Sequence, residues 1–134
     1  DLYFRALEKF GMPANRVGQH ALGLVAETDE EAAETWWESW KPMVEMMGKE
    51  RGFYPPTKER YLMELESGAL FVGSPDTVAA KIARMVEVLR ISRFDLKYDV
   101  IGLPTEARAQ TISLLGTEVA PRVRRLLAKE SINV

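Results

Sequence analysis

The residues that could hold an anion lie at Gly73, Ser74 and Pro75, where a predicted strand meets a predicted helix. A glycine before a helix lets backbone amides approach a phosphate closely, and the Ser74 hydroxyl adds a donor. Serine and proline are also common at helix starts without any ligand, and Asp76 would repel a phosphate. The spaced glycines and the lysine of Walker and Rossmann loops are missing. This strand-to-helix tip is therefore a possible phosphate site, with plain helix capping as the alternative.

The single histidine, His20, is the second residue that could take part in chemistry. It falls in a mainly apolar run, where a neutral histidine with a hydrogen-bond partner is the common arrangement and contact with a substrate is the functional alternative. Cysteine is absent, which excludes thiolate nucleophiles, disulfides and zinc sites built on sulfur. A serine triad or a multi-histidine metal site would depend on His20 alone, so we expect no metal.

Two further groups have a structural interpretation beside the functional one. Asp95, Lys97 and Asp99 share one face of a predicted strand, because side chains alternate along it. They form either a polar layer at the mouth of a site or a solvated strand face. The tryptophans within residues 36–40 have helical spacing, which is typical of a core or a subunit interface rather than of a stacking platform.

The composition indicates a globular domain without affinity for nucleic acid. The chain has 134 residues, 46% of them hydrophobic, and its 18 basic and 20 acidic side chains give a net charge of -2. Nucleic-acid binders usually carry a basic surplus on one face, which this sequence lacks. No apolar stretch approaches the ~20 residues that span a bilayer, and the first residues do not resemble a signal peptide. We expect one compact unit over residues 1–134, in a cytoplasmic, reducing setting.

The hydrophobic pattern alternates strands and helices. The predicted strands span residues 16–26, 69–72 and 93–101, and the predicted helices span 2–10, 28 or 29 to about 48, 58–66, one from 75 and one from 105. Thr28 and Thr57 have the types and positions of helix caps, and Pro121 should kink or split the last helix. Strands separated by helices favour a parallel sheet. The fold class is α/β, and the pattern alone leaves open a small doubly wound sheet or a segment of a (β/α)8 barrel.

Five segments in order carry a family resemblance. They are VGQH at 17–20, GLVAETDEEA at 23–32, GSPDTVAAKI at 73–82, GLP at 102–104 and EVAPRVR at 118–124. Together they resemble the closing third of the luciferase-like flavin monooxygenases. The resemblance covers nearly the whole chain, although no single motif is decisive.

The resemblance implies the C-terminal portion of a (β/α)8 TIM barrel, with three parallel strands alternating with helices. It implies reduced FMN as cofactor, or the deazaflavin F420 in related branches, with oxygen and a small organic substrate. Gly73 and Ser74 match a motif at a ligand-facing strand end, so they are the cofactor-binding candidates, and His20 is the substrate-binding candidate. The family often has a histidine or an acid after the Gly-Leu-Pro turn, where this chain has Thr105, so no catalytic role is assigned there.

Together with the resemblance, the length of the chain predicts that it is part of a longer enzyme. A complete barrel takes about 250 residues, so a piece of this length should be inert alone. Three isolated parallel strands would expose two edges and one bare apolar face, which predicts a homo-oligomer or pairing with the missing part of the barrel. A non-catalytic α/β interaction module and a small doubly wound anion-binding domain are the alternatives.

Overall fold

A computed structural model describes residues 2–52 and 54–130; Asp1, Phe53 and residues 131–134 lie outside the described residues. The predicted single unit of residues 1–134 includes these positions and stays a prediction. The helices are α1 (Leu2–Lys9), α2 (Asp29–Arg51), α3 (Lys58–Glu66), α4 (Pro75–Leu89), α5 (Thr105–Leu114) and α6 (Ala120–Glu130), with a π-helical segment at Leu115–Val119. The strands are β1 (Gly18–Val25), β2 (Phe71–Gly73) and β3 (Arg93–Lys97).

The three strands form one parallel sheet in which β1 lies in the centre. Residues 23–25 of β1 pair with β2, and residues 18–22 pair with β3. The predicted α/β class, with parallel strands alternating with helices, is confirmed. The order β2-β1-β3 differs from the chain order that consecutive strands of a closed barrel follow, and the sheet is open.

Helices cover both faces of the paired β1 and β2. Leu24 and Val72 pack in one buried cluster with residues of α2 and α3, including Trp36. Val25 and Phe71 point to the opposite face, because side chains alternate along a strand, and they pack against α4 and the π-helical segment. The expectation of one bare apolar face is therefore wrong for this part of the sheet: right-handed crossovers to opposite sides of β1 place α2 and α4 on opposite faces.

The third strand has unlike faces, as its pattern predicts. Phe94 and Leu96 pack on the cluster beneath α4, whereas Arg93, Asp95 and Lys97 are exposed. The strand ends at Lys97 rather than at residue 101. The polar face of β3 is therefore solvated, which is the structural alternative given above.

Helix caps are where the sequence predicts them. Thr28 Oγ1 accepts a hydrogen bond from the Glu31 amide at 3.1 Å, and Thr57 Oγ1 accepts one from the Arg60 amide at 3.2 Å. Helix α2 runs past Gly48 and ends at Gly52, whose φ of 71° is the left-handed conformation of a C-cap. The predicted end near Gly48 was three residues short.

The last helix widens before Pro121 instead of breaking. A proline ring collides with the carbonyl four residues earlier in an α-helix, and the π-helical segment Leu115–Val119 includes that position. Thr117 Oγ1 donates to the Ser113 carbonyl at 3.0 Å. Helix α6 continues from Ala120, so the predicted kink or split takes the form of one wide turn.

Candidate functional site

The carboxyl ends of β1 and β2 bring two helix N-termini to one edge of the sheet. The Ala26 amide donates to the Gly73 carbonyl at 3.3 Å, which continues the pairing of these strands by one bond. Helices α2 and α4 begin directly afterwards, at Asp29 and Pro75. Because helix N-termini carry partial positive charge, this edge favours an anion.

The anion that occupies the edge is a side chain of the protein. Asp29 Oδ1 accepts a hydrogen bond from the Ser74 amide at 2.6 Å, and Asp29 Oδ2 accepts one from Thr77 Oγ1 at 2.9 Å. Ser74 Oγ accepts from the Thr77 amide at 3.4 Å, which makes Ser74 the N-cap of α4. We call the two donors, the Ser74 amide and the Thr77 hydroxyl, the α4 cradle. It holds the Asp29 carboxylate where the sequence predicts a phosphate.

The ionised form of Asp29 is favoured in this position. Partial burial raises the pKa of Asp29, but the hydrogen bonds from Ser74 and Thr77 and the charge of Lys81 outweigh it, so the pKa lies below its ordinary value of 3.8. Burial lowers the pKa of Lys81, and the charge of Asp29 opposes that shift. Lys81 Nζ also donates to the carbonyls of Leu65 and Leu70, at 2.8 and 2.9 Å. The cradle is thereby tied to the end of α3 and the approach to β2.

Gly73 is a glycine because its backbone conformation disfavours other residues and the side chains of Asp29 and Thr77 leave no room for a Cβ atom. Its φ is +153°, and a Cβ atom would lie 2.7 Å from Asp29 Oδ1 and 2.8 Å from Thr77 Cγ2. The close approach that the sequence assigns to a ligand is made in this structure by Asp29.

Replacing Asp29 with Asn should lower the free energy of unfolding at pH 7 by about 0.5–1.5 kcal/mol, the net contribution of one hydrogen bond, because the amide has one acceptor oxygen where the carboxylate has two. A depressed folded-state pKa gives stability that is present above the unfolded value and is lost as the pH falls through the folded value. Wild type should therefore lose this contribution below pH 3.8, and Asp29→Asn should not. Denaturant melts between pH 2 and 7 measure both. Equal pH dependence in the two proteins would contradict the assignment.

At the carboxyl end of β1, the side away from β2 is closed by helix α5. Buried Thr111 Oγ1 accepts from the Val25 amide at 3.2 Å and donates to the Val25 carbonyl at 3.1 Å. In open α/β sheets, ligands collect in the crevice where the strand order reverses. Here that crevice lies between β1 and β3, and Thr111 closes it. Sequence reasoning missed this contact, because a lone threonine in a helix carries no signal of a partner 86 residues away.

Replacing Thr111 with Val should cost about 1–3 kcal/mol of stability, because a buried amide and carbonyl lose their partner. Thr111→Ser keeps the hydroxyl and should therefore retain most of the wild-type stability. Chemical denaturation of both variants measures the difference. If Thr111→Val and Thr111→Ser are equally stable, the hydrogen bonds between Thr111 and Val25 contribute nothing to stability.

His20 lies away from this edge of the sheet. It occupies the N-terminal half of β1, is exposed, and is in register with Asp95. His20 lies beside the polar face of β3 rather than in apolar surroundings, although the sequence around it is mainly apolar. Val25 lies five positions after His20 in β1, a distance of about 16 Å along a strand. The structure therefore does not bring His20 together with Gly73 and Ser74.

The tryptophans belong to the core. Trp36 and Trp40 are buried, and Trp37 packs against Trp40 and Tyr61 with ring centroids 5.8 and 5.1 Å away. Tyr61 Oη donates to the Ala33 carbonyl at 2.6 Å, and burial raises the pKa of Tyr61. This cluster fixes α2 and α3 on the sheet and therefore positions Asp29.

Neither a metal cluster nor a membrane helix is found in the described part of the chain. Residues 2–52 and 54–130 contain no group of three or more His, Cys, Asp or Glu side chains that could hold a metal ion. No helix within those ranges is long and apolar enough to cross a bilayer.

Comparison with solved structures finds monooxygenases. The fold is similar to monooxygenase RslO1 from Streptomyces bottropensis, with a TM-score of 0.74 and 18% sequence identity over 90% of this chain. It is also similar to the oxygenating constituent of 3,6-diketocamphane monooxygenase from Pseudomonas putida, a type II Baeyer-Villiger monooxygenase solved with FMN, with a TM-score of 0.61 and 22% identity over 91% of this chain. A third similar structure is apo-MsnO8, with a TM-score of 0.57 and 17% identity over 84% of this chain.

These comparisons confirm, at the level of the fold, the predicted resemblance to luciferase-like monooxygenases and the match to part of a TIM-barrel fold. The chain spans between 35% and 38% of the length of the three structures. No protein-family model matches the sequence. A search of curated proteins finds no match either.

Proposed function

We propose that this chain is part of a flavin-dependent monooxygenase that uses reduced FMN and oxygen on a small organic substrate. The observation that supports it best is the similarity to RslO1, with a TM-score of 0.74 over 90% of the chain. A complex with FMN among the similar structures favours FMN, and F420 is the alternative. We further propose a cytoplasmic setting. We also propose that the chain pairs with the rest of the barrel or with a second copy, since among the described residues β2 and β3 each pair with β1 on one edge and leave the other edge unpaired.

The α4 cradle is the proposed place in this chain for the cofactor phosphate. The proposal is supported by Asp29, which places one anionic oxygen 2.6 Å from the Ser74 amide and another 2.9 Å from Thr77 Oγ1. A phosphate that takes these donors has to displace the Asp29 carboxylate. Gly73 leaves the space for that exchange, because it has no side chain beside Asp29.

The flavin, when bound, supplies the redox chemistry with oxygen. The contribution of this chain would be to bind and orient. Ser74 and Thr77 would donate to the phosphate, and the positive end of α4 would favour its charge. His20, far from the cradle on the exposed face of β1, stays the proposed substrate contact, and that role requires a part of the enzyme that covers this face.

FMN titration with flavin fluorescence tests the cradle. Asp29→Ala removes the internal carboxylate and should strengthen FMN binding at least tenfold relative to wild type. Glu30→Ala is the matched control, since it removes one exposed negative charge from the same helical turn without touching the cradle. It should change the affinity less than twofold.

Thr77→Val combined with Asp29→Ala should abolish the gain in FMN affinity, because the cradle then loses the hydroxyl that donates to the anionic oxygen at 2.9 Å. Inorganic phosphate as competitor separates recognition of the phosphate from recognition of the flavin ring. Equal binding of phosphate and FMN would favour a small anion-binding domain instead. If Asp29→Ala binds no flavin and no phosphate, the cradle is only a helix cap.

A further inference from the structure

A second feature of the molecule is an apolar pocket of about 620 Å³ on the α4 side of the sheet. It lies between β3, α4, α5, the π-helical segment and α6. The side chains that define it are apolar and come from each of these elements: Ile82, Phe94, Leu96, Ile112, Leu115 and Val123. None of them belongs to the α4 cradle.

The polar residues at the wall do not call for a charged ligand. Ser92, Arg93 and Arg124 also line the pocket. Arg93 Nε is hydrogen-bonded to both carboxylate oxygens of Asp95, at 3.0 and 2.9 Å, on the polar face of β3. Arg124 is exposed. Among the described residues, the buried side-chain atoms without a hydrogen-bond partner belong to Trp36, Ser39 and Arg108, and none of these lines the pocket.

The shape of the last helix opens this space. The π-helical segment Leu115–Val119 forms one wall, and π turns are frequent at functional sites. Gly116 lies in that segment, and a Cβ atom there would meet nothing within 4 Å. The volume falls within the ~300–1,000 Å³ range of small-molecule sites. An apolar lining of this kind favours contact with apolar molecules over contact with water.

We infer that this pocket binds an uncharged, mainly hydrocarbon small molecule. The bound molecule contacts apolar side chains from β3, α4, α5 and α6. A polar group on that molecule would lie at the rim, near Ser92. The site is independent of the flavin proposal, because it shares no residue with the α4 cradle and lies on a face of the sheet rather than at the ends of the strands.

The neutral fluorophore N-phenyl-1-naphthylamine tests the pocket in the full chain. Its fluorescence should rise in a saturable way with a stoichiometry of one, and 1-octanol should displace it at least tenfold more effectively than octanoate. Ile112→Glu places a charge on the wall at a side chain that is 54% exposed, so folding should be retained. This variant should weaken binding at least tenfold. Val88→Glu, at an exposed apolar position on α4 outside the pocket, is the matched control and should change binding less than twofold.

Gly116→Leu and Gly116→Ala form a second test, which does not introduce charge. Leu adds bulk at the rim and should weaken binding, whereas Ala should leave it unchanged. Circular dichroism and size-exclusion chromatography accompany each variant. No saturable binding by wild type, equal binding by Ile112→Glu, or a wild-type dimer that Ile112→Glu dissociates would each overturn the inference; the last would assign the surface to a second copy.

Discussion

Gly23→Ala should destabilise the protein by about 3 kcal/mol or more, at the upper end of the range for overpacking. A Cβ atom at Gly23 would lie 2.1 Å from the Phe71 carbonyl oxygen and 2.7 Å from Leu96 Cδ1. The first neighbour is backbone of a paired strand and cannot move without opening the sheet. Native stabilities are about 5–15 kcal/mol, so a large part of the total is lost. Urea denaturation followed by circular dichroism measures the change.

Gly18→Ala is the matched control for this prediction, since it adds the same methyl group to the same strand. The nearest atom to a Cβ there is Arg93 Cβ at 3.6 Å, which is ordinary van der Waals contact. Its stability should stay within about 0.5 kcal/mol of wild type. If Gly23→Ala is equally harmless, then β1 does not lie against β2 and β3 as described.

Trp36→Ala should cost about 3–5 kcal/mol, the usual range for a buried aromatic side chain. Trp36 is fully buried in the cluster that joins α2 and α3 to β1 and β2. Its indole Nε1 has no hydrogen-bond partner among the described residues, so the loss is one of packing. Thermal and urea unfolding measure it.

Met46→Ala, on the same helix, is the comparison for Trp36→Ala. Met46 is 47% exposed, and its truncation should cost about 1 kcal/mol or less. Since Asp29 lies on the same helix as Trp36, Trp36→Ala should also loosen the α4 cradle. A cost at Trp36 no larger than that at Met46 would mean that this cluster does not fix α2 on the sheet.

The sequence predicts local features of this fold well, because each of them depends on neighbours in the chain. Thr28 and Thr57 cap the helices as their spacing predicts. The alternation in β3 is confirmed for residues 93–97, since a two-residue period directly separates the faces of a strand. Ser74 is the N-cap of α4, which is the structural alternative given for it.

The features that sequence reasoning missed depend on residues distant along the chain. Asp29 reaches Ser74 across 45 positions, and Thr111 reaches Val25 across 86. Hydrophobic periodicity predicts the existence of β1, β2 and β3 but not their order, because each strand is short and apolar enough to pair on either edge. The exposure of His20 follows from that order, since the polar face of β3 lies beside it.

This strand order bears on the proposed function. With β1 in the centre, α2 and α4 start at the same edge of the sheet and Asp29 can reach the Ser74 amide. The crevice between β1 and β3 is closed by Thr111, so the α4 cradle is the place at this edge where a phosphate could be exchanged for a side chain.

Backbone nuclear Overhauser effects in the isotopically labelled chain test the arrangement most directly. The structure predicts contacts between residues 18–22 and 93–97 and between residues 23–25 and 71–73, all in parallel register. Backbone contacts that put 71–73 next to 93–97, with residues 18–25 at the outside, or antiparallel contacts in either pair, would contradict it.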